Sequence, residues 1–198
     1  MIIELPVAHI NPKRLSADDW AEAAAALKCE VAAIRAVSDV ESSGDGFFIT
    51  GRPKILFEAH VFGRLTKGIH NATHPGISSA KWNRALYKGG EREYDRLKEA
   101  MTLNPIAACE AASWGRFQIM GFHWQVCGFS SVFEFVQAHY ESEGEQLAAF
   151  VDFLKSQRLD RYLQTKNWAS FALGYNGKGY AANRYDTKLA EAYKRRSA

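Results

Sequence analysis

The chain has 198 residues, which is enough for one domain with a hydrophobic core, and its 47% hydrophobic and 24% charged residues are ordinary globular values. This composition excludes a fibrous or intrinsically disordered chain. The formal net charge of +3 is too small for a nucleic-acid-binding protein but suits contact with anionic polymers. The 5 Trp, 8 Tyr and 12 Phe supply rings on which sugars could stack.

The N-terminal sequence MIIELPVAHINPKRL lacks the basic start, apolar core and cleavage site of a signal peptide, and no run of about 18 apolar residues follows. We therefore expect synthesis in the cytoplasm and no membrane insertion. The three cysteines, Cys29, Cys109 and Cys127, lie in apolar contexts and are interpreted as reduced core residues, with one chance pair left open. The six histidines show no zinc-binding spacing, so we expect neither a metal nor a cofactor.

Apolar residues recur mostly at helical spacing, which predicts a mainly α (α+β) fold in a single domain, residues 1–198. Ser16 is a good N-cap for a first helix, and a second helix follows at once. The predicted helices are 17–27, 30–40, 60–65, 91–101, a short one from Pro105 to Ala112, 132–140, 143–156, 167–173 and 185–195. The segment 113–124 most simply begins a core helix, and 66–82 and 174–183 are predicted loops.

The stretch 37–58 contains the predicted β element. Two β-prone runs, Gly46–Ile49 and Lys54–Phe57, flank the turn sequence 50–53, which indicates a small hairpin. Glu41 lies where the preceding helix stops, and Glu58 lies at the end of the second run. The hairpin is therefore expected to bring Glu58 back toward Glu41.

Two carboxyl groups beside each other are the arrangement that cleaves glycosidic bonds, with one of them as general acid. Glu41 is the candidate acid, because an apolar surrounding and the negative end of a helix dipole both favour a protonated carboxyl group. The simpler alternative is a solvated glutamate, or one paired with Arg35 or Arg52. Glu58 is the candidate second carboxylate, with Asp45 as an open alternative; its simpler role is a cross-strand or local pair with Arg52, Lys54 or His60 at a sheet edge.

Three segments together resemble the lysozyme superfamily, near goose-type lysozymes and lytic transglycosylases. More narrowly, the chain resembles the N-acetylmuramidase family of phage endolysins and prophage lysis cassettes. The resemblance covers nearly the whole chain and is carried by VESSGDGFFITGRPKILFEAHVFGRLT (40–66), ASWGRFQIMGFHW (112–124) and 150–193, which includes YNGKGYAANRYDTKLAEAY (175–193).

This resemblance implies a lysozyme-like helical domain with the hairpin beside the active-site cleft. It also implies hydrolysis of the β-1,4 bond between N-acetylmuramic acid and N-acetylglucosamine in peptidoglycan. Glu41 matches the family's acid, and Glu58 lies in its F-E-x-H segment. The other matching residues are Gln118, which lines the groove in relatives, and Tyr175 and Asn176, which lie beside the acid. Trp82, Trp114 and Trp124 are candidate groove aromatics.

The chain is expected to hold no separate cell-wall-binding module and to be a monomer that binds peptidoglycan glycan strands. Without a signal peptide, it would reach the wall through a holin or a secretion system. Three alternatives remain at this stage: a lytic transglycosylase that forms anhydro sugars, a non-catalytic glycan-binding module, and a delivered interaction protein with an immunity partner.

Overall fold

Within residues 4–197, which the computed structural model describes, ten α-helices surround a short antiparallel sheet of three strands. The strands are β1 (Ile55–Phe57), β2 (Ala112–Trp114) and β3 (Ile119–Met120). The helices are α1 (Ala17–Leu27), α2 (Val31–Ser42), α3 (Ala59–Leu65), α4 (Glu93–Leu103), α5 (Pro105–Glu110), α6 (Val132–Glu141), α7 (Glu143–Ser156), α8 (Asp160–Gln164), α9 (Trp168–Asn176) and α10 (Tyr185–Ser197). The mainly α class with one small β element is confirmed.

Side-chain caps explain why several helices begin where the sequence predicts. Ser16 accepts a hydrogen bond from the backbone N–H of Asp19, and Asp19 accepts one from the backbone N–H of Ser16, which completes a capping box at α1. Ser142 caps α7 in the same way through the N–H of Glu145. Helix α8 was not predicted, since five residues carry too little periodicity to detect.

The predicted hairpin over 46–57 is only partly correct. Residues 46–54 form a narrow loop with one isolated bridge, Phe47–Pro53, and β1 pairs with β2, so that Phe57 lies opposite Ala112. The physical reason is burial: the first run buries Phe47 but leaves Ile49 fully exposed, whereas β2 is buried throughout and therefore pairs with β1.

The segment 113–124 contains most of a hairpin formed by β2 and β3, so the simpler interpretation of this segment, the start of a core helix, is wrong. Gly115 (φ 69°) and Gln118 (φ 50°) adopt the left-handed backbone conformation that turns the chain. A Cβ atom at Gly115 would lie 2.6 Å from the Gln146 side chain, so the turn also needs the glycine for space. Phe117, at the tip, stacks on Phe150 with ring centroids 4.1 Å apart.

Helix α7 lies at the centre of the core and packs on α1 and α6, while α10 packs on both α2 and α9. The buried side chains of α7 include Leu147, Phe150 and Leu154. All three cysteines are free thiols, as predicted. Across residues 4–197, the helices are too short or too polar to cross a membrane.

A buried carboxylate at the start of α7 connects this helix to three other parts of the chain. Glu143 is fully buried and accepts hydrogen bonds from both sides: Arg116 Nη2 lies 2.8 Å from each of its oxygens, and the N–H of Gly46 donates at 2.8 Å. Arg14 and the N–H of Leu15 contact the same carboxylate at 3.1 Å. The lead-in segment, the loop after α2 and the β2–β3 turn therefore all meet at one residue.

We predict that Glu143→Ala lowers the free energy of unfolding by about 3–5 kcal/mol, because it leaves the Arg116 guanidinium buried without its counter-charge. Urea unfolding followed by circular dichroism measures the change. Glu145→Ala, on the exposed side of the same helix, is the control and should change stability by less than about 1 kcal/mol. Equal effects of the two substitutions would contradict a central role for Glu143.

Candidate active site

Glu41 lies in the last turn of α2, one residue before the helix ends. Ser43 follows in the left-handed conformation (φ 59°) and stops the helix. Lys54 Nζ donates to the carbonyl of Ser42 at 2.9 Å, which compensates a backbone acceptor left unpaired by the helix end. The helix ends two residues later than predicted, so Glu41 belongs to the helix and its backbone is fixed.

The Glu41 carboxyl group has one hydrogen bond among the described residues. Asn176 Nδ2 donates to its Oε1 at 2.9 Å. The predicted alternative partners are occupied elsewhere, since the guanidinium of Arg35 lies over the Trp20 ring and that of Arg52 lies near Glu91. The second oxygen, Oε2, therefore has no hydrogen-bond partner among residues 4–197.

Burial raises the pKa of Glu41 to about 7, against the lowering effects of the Asn176 hydrogen bond and the positive charge of Lys188. The dipole of α2 acts in the same direction as burial, because Glu41 lies at the negative end of the helix. A carboxyl group with this pKa holds its proton in a large fraction of molecules near neutral pH. It has the protonation state that a general acid requires.

Helices α9 and α10 form the wall beside Glu41. Tyr175 stacks on Phe171 with ring centroids 5.3 Å apart, and its hydroxyl donates to the carbonyl of Phe117 at 2.6 Å. Burial, followed by the nearby Glu41 charge, raises the pKa of Tyr175 well above its usual range. Tyr175 therefore holds α9 against the β2–β3 turn as a neutral phenol.

Asn176 carries an unusual buried atom. Its Nδ2 is paired with Glu41, while its Oδ1 is buried and has no hydrogen-bond partner among the described residues. A buried acceptor without a partner costs about 1–3 kcal/mol, so a hydrogen-bond donor from water or substrate at this atom would be stabilising. Tyr175 and Asn176 thus lie where the resemblance implies, beside Glu41.

Gln118 lies at the β2–β3 turn, and its amide is used within that turn. Ser113 Oγ donates to its Oε1 at 2.8 Å, and its Nε2 donates to the carbonyl of Gly115 at 2.8 Å. These bonds hold Gln118 in its left-handed backbone conformation. The structure therefore gives Gln118 a role in shaping the turn, whether or not glycan reaches it.

The prediction that Trp114 lines a groove is wrong. Its side chain has no exposed surface, and its Nε1 donates to the carbonyl of Cys109 at 3.0 Å. Strand β2 is covered on both faces, so its tryptophan has no ring face to offer to a sugar. Trp124 is half-buried and bonded to Glu110, whereas Trp82 is 59% exposed.

Glu58 follows β1 directly and occupies the N-cap position of α3. The sheet fixes its backbone, because its N–H donates to the carbonyl of Ala111 at 2.9 Å. Tyr87 donates a 2.6 Å hydrogen bond to Glu58 Oε2, and His60 Nδ1 lies 3.2 Å from the same oxygen. The predicted hairpin over 46–57 does not position Glu58. The pairing of β1 with β2 positions it instead.

Asp45 has structural partners. It accepts from the N–H of Phe47 at 3.0 Å, which forms an Asx turn, and from Arg14, which also contacts Glu143. These contacts lower the pKa of Asp45. The carboxylate is committed to the loop after α2 and to the ion network around Glu143.

Sequence reasoning missed Tyr87, Tyr185 and Lys188 as neighbours of the two glutamates. Burial and the Glu41 charge raise the pKa of Tyr185, which places this α10 residue close to the acid. No local pattern marks these residues, since they lie 29 to 147 positions away from the glutamates in sequence.

A cavity of about 750 Å³ near Tyr94 and Lys98 includes neither glutamate. Residues 4–197 contain no cluster of metal ligands.

The chain matches one protein family and is similar to a solved structure. The family model described as N-acetylmuramidase matches residues 30–197. The crystal structure of a Burkholderia AP3 phage endolysin is similar, with 44% sequence identity and a TM-score of 0.84, over 94% of this chain and 72% of the endolysin chain. No curated protein matches the sequence.

We predict that raising the pH through about 7 lowers any activity that uses Glu41 as a proton donor, because the carboxyl group then loses its proton, and a pH–rate profile measures this change. The same pKa affects stability. The folded state holds a proton that the unfolded state has lost between about pH 4.5 and 7, so the Glu41 contribution to stability falls as the pH rises through this window.

At pH 8, Glu41→Gln should therefore be more stable than wild type, by at most about 3 kcal/mol of unfolding free energy, and should unfold at a higher temperature. At pH 4.5 the two proteins should unfold at nearly the same temperature. Calorimetry at both pH values tests this. The exposed Glu22→Gln should show no such pH-dependent difference. A destabilised Glu41→Gln variant at pH 8 would contradict the raised pKa.

Proposed function

Because the chain belongs to the N-acetylmuramidase family of lysozyme-type glycoside hydrolases, we propose that it hydrolyses the β-1,4 bond between N-acetylmuramic acid and N-acetylglucosamine in peptidoglycan. Glu41 acts as the general acid. The observation that supports this role is a carboxyl group fixed at the end of α2, with its pKa raised by burial to about 7 and one oxygen without a hydrogen bond.

The proposed first step is proton transfer from Glu41 to the glycosidic oxygen. Asn176 Nδ2 donates to Oε1, so the proton is carried on Oε2, the oxygen that remains available to the substrate. As the bond between the anomeric carbon and the leaving oxygen breaks, positive charge develops on the sugar ring. Glu41 is left as a carboxylate, which the Asn176 amide and the charge of Lys188 stabilise.

Glu58 is the proposed second carboxylate, which stabilises the developing positive charge or activates the attacking water. The contacts of Tyr87 and His60 are both made to Oε2, so Oε1 has no partner among the described residues. A fixed carboxylate with one available oxygen suits either task. Asp45 also has one oxygen without a partner in the described part of the chain, but it is the weaker candidate, because the positive charge of Arg14 compensates its own and ties it to the network around Glu143.

The products of peptidoglycan digestion test the reaction. We predict that the wild-type protein releases fragments with reducing N-acetylmuramic acid ends and that Glu41→Gln, which cannot donate a proton, releases none. Mass spectrometry of the soluble fragments makes the measurement, with Glu22→Gln as the active control. Wild-type fragments lighter by one water would instead indicate a lytic transglycosylase, and no wild-type fragments would indicate a binding module.

The two remaining carboxylates can be compared directly. We predict that Glu58→Gln lowers kcat by at least about 100-fold, because an isosteric amide neither carries the negative charge nor accepts a proton. Asp45→Asn should keep kcat within about threefold while lowering the thermal unfolding temperature, since it weakens the contact with Arg14. Turbidity loss of a wall suspension measures the rates. The opposite ranking of the two variants would exchange their roles.

A further inference from the structure

Trp82 is a large apolar side chain that the fold does not bury. It is 59% exposed, whereas Trp20 and Trp114 are 6% and 0% exposed, and Trp124 and Trp168 are half-buried against the core. It is the most exposed tryptophan of the five. A single exposed apolar side chain is ordinary in a folded protein, so what distinguishes Trp82 is its position relative to Glu58 rather than its exposure alone.

The polar edge of Trp82 is directed toward the proposed active site. Its Nε1 donates to the Tyr87 hydroxyl at 2.7 Å, and that hydroxyl donates to Glu58 Oε2 at 2.6 Å. The two rings are tilted by 59° with centroids 6.3 Å apart. The indole N–H is therefore used internally, and an apolar ring face is available to solvent within two hydrogen bonds of Glu58.

Tyr87 is itself held in place by a buried arginine. The guanidinium of Arg96 lies 5.7 Å from the Tyr87 ring centroid. Arg96 is 2% exposed, lies 2.6 Å from the Glu93 carboxylate and donates to the carbonyl of Phe57 at 2.8 Å. Phe57 is the last residue of β1 and immediately precedes Glu58. The end of β1 therefore positions Glu58 directly and, through Arg96, also positions Tyr87, whose hydroxyl accepts the Trp82 N–H.

We propose that Trp82 is a stacking platform for one pyranose ring of the glycan strand, in a subsite beside Glu58 whose position Tyr87 sets. The C–H groups on one face of a pyranose are apolar and pack on an aromatic face, while its hydroxyl groups stay in water. Few side chains other than the aromatic ones have a flat apolar face on which a sugar ring can pack at an exposed surface. This inference rests on the proposed function, because it places the subsite on the Glu58 side of the scissile bond.

Binding tests the platform without turnover. In a Glu41→Gln background, peptide-free oligosaccharides of alternating N-acetylglucosamine and N-acetylmuramic acid are titrated by calorimetry. Trp82→Ala should weaken affinity by about three- to tenfold, which corresponds to the loss of one aromatic contact, and Trp82→Phe should retain most of it. Ile69→Ala removes another exposed apolar side chain, 72% exposed, and should leave affinity unchanged.

Kinetics in the active protein separate the two aromatic residues. Trp82→Ala should raise KM for the same oligosaccharides by about three- to tenfold and keep kcat within about twofold, because Tyr87 loses the bond from Trp82 but keeps its own bond to Glu58. Tyr87→Phe should lower kcat as well, because Glu58 then loses the donor that orients it. Tyr87 is a positioning residue in this scheme. Thermal unfolding of each variant checks that the fold is retained.

Unchanged affinity and KM in Trp82→Ala would overturn the platform, and so would a fall in kcat with no change in KM. Failure of the proposed function has a different signature, since Glu41→Gln would then digest peptidoglycan like wild type while the Trp82 variants could still lose affinity. The two results are therefore distinguishable in one set of proteins.

Discussion

The buried ion pair between Arg116 and Glu143 sets the relative positions of the elements that form the site. Arg116 Nη2 lies 2.8 Å from both oxygens of Glu143, Nη1 donates to Ser38 Oγ on α2, and the backbone N–H donates to Gln146 Oε1 on α7. Glu143 also binds the N–H of Gly46, just after α2. Because an unpaired buried charge is very costly, these elements keep one arrangement, in which α2 ends against the β2–β3 turn.

This frame gives the two glutamates different surroundings. Glu41 lies at the dipole-negative end of α2 with a single amide donor, and burial raises its pKa to about 7. Glu58 lies at the end of β1 with a phenol and an imidazole at one oxygen. Two carboxyl groups in unequal environments are suited to unequal tasks at one bond. The chain is a peptidoglycan hydrolase by family, and this asymmetry is what its acid–base chemistry would use.

The site also contains polar groups that the fold does not satisfy. Asn176 Oδ1 and Arg116 Nε are buried without hydrogen-bond partners in the described part of the chain. Trp82 shows the complementary case, an apolar ring that remains outside the core. Asn176 and Trp82 both lie within two hydrogen bonds of a glutamate. Such local inconsistencies are expected where a protein is shaped for a ligand rather than for stability.

The sequence by itself determined the helical class, most helix bounds and the position of Glu41 near a helix end, because caps and apolar periodicity act over a few residues. It failed where partners are distant. The pairing of β1 with β2 and the bond from Tyr87 to Glu58 join residues 29 to 59 positions apart, and the burial of Trp114 accompanies that pairing. Only the tertiary structure decides such contacts, since they depend on which apolar faces are buried together.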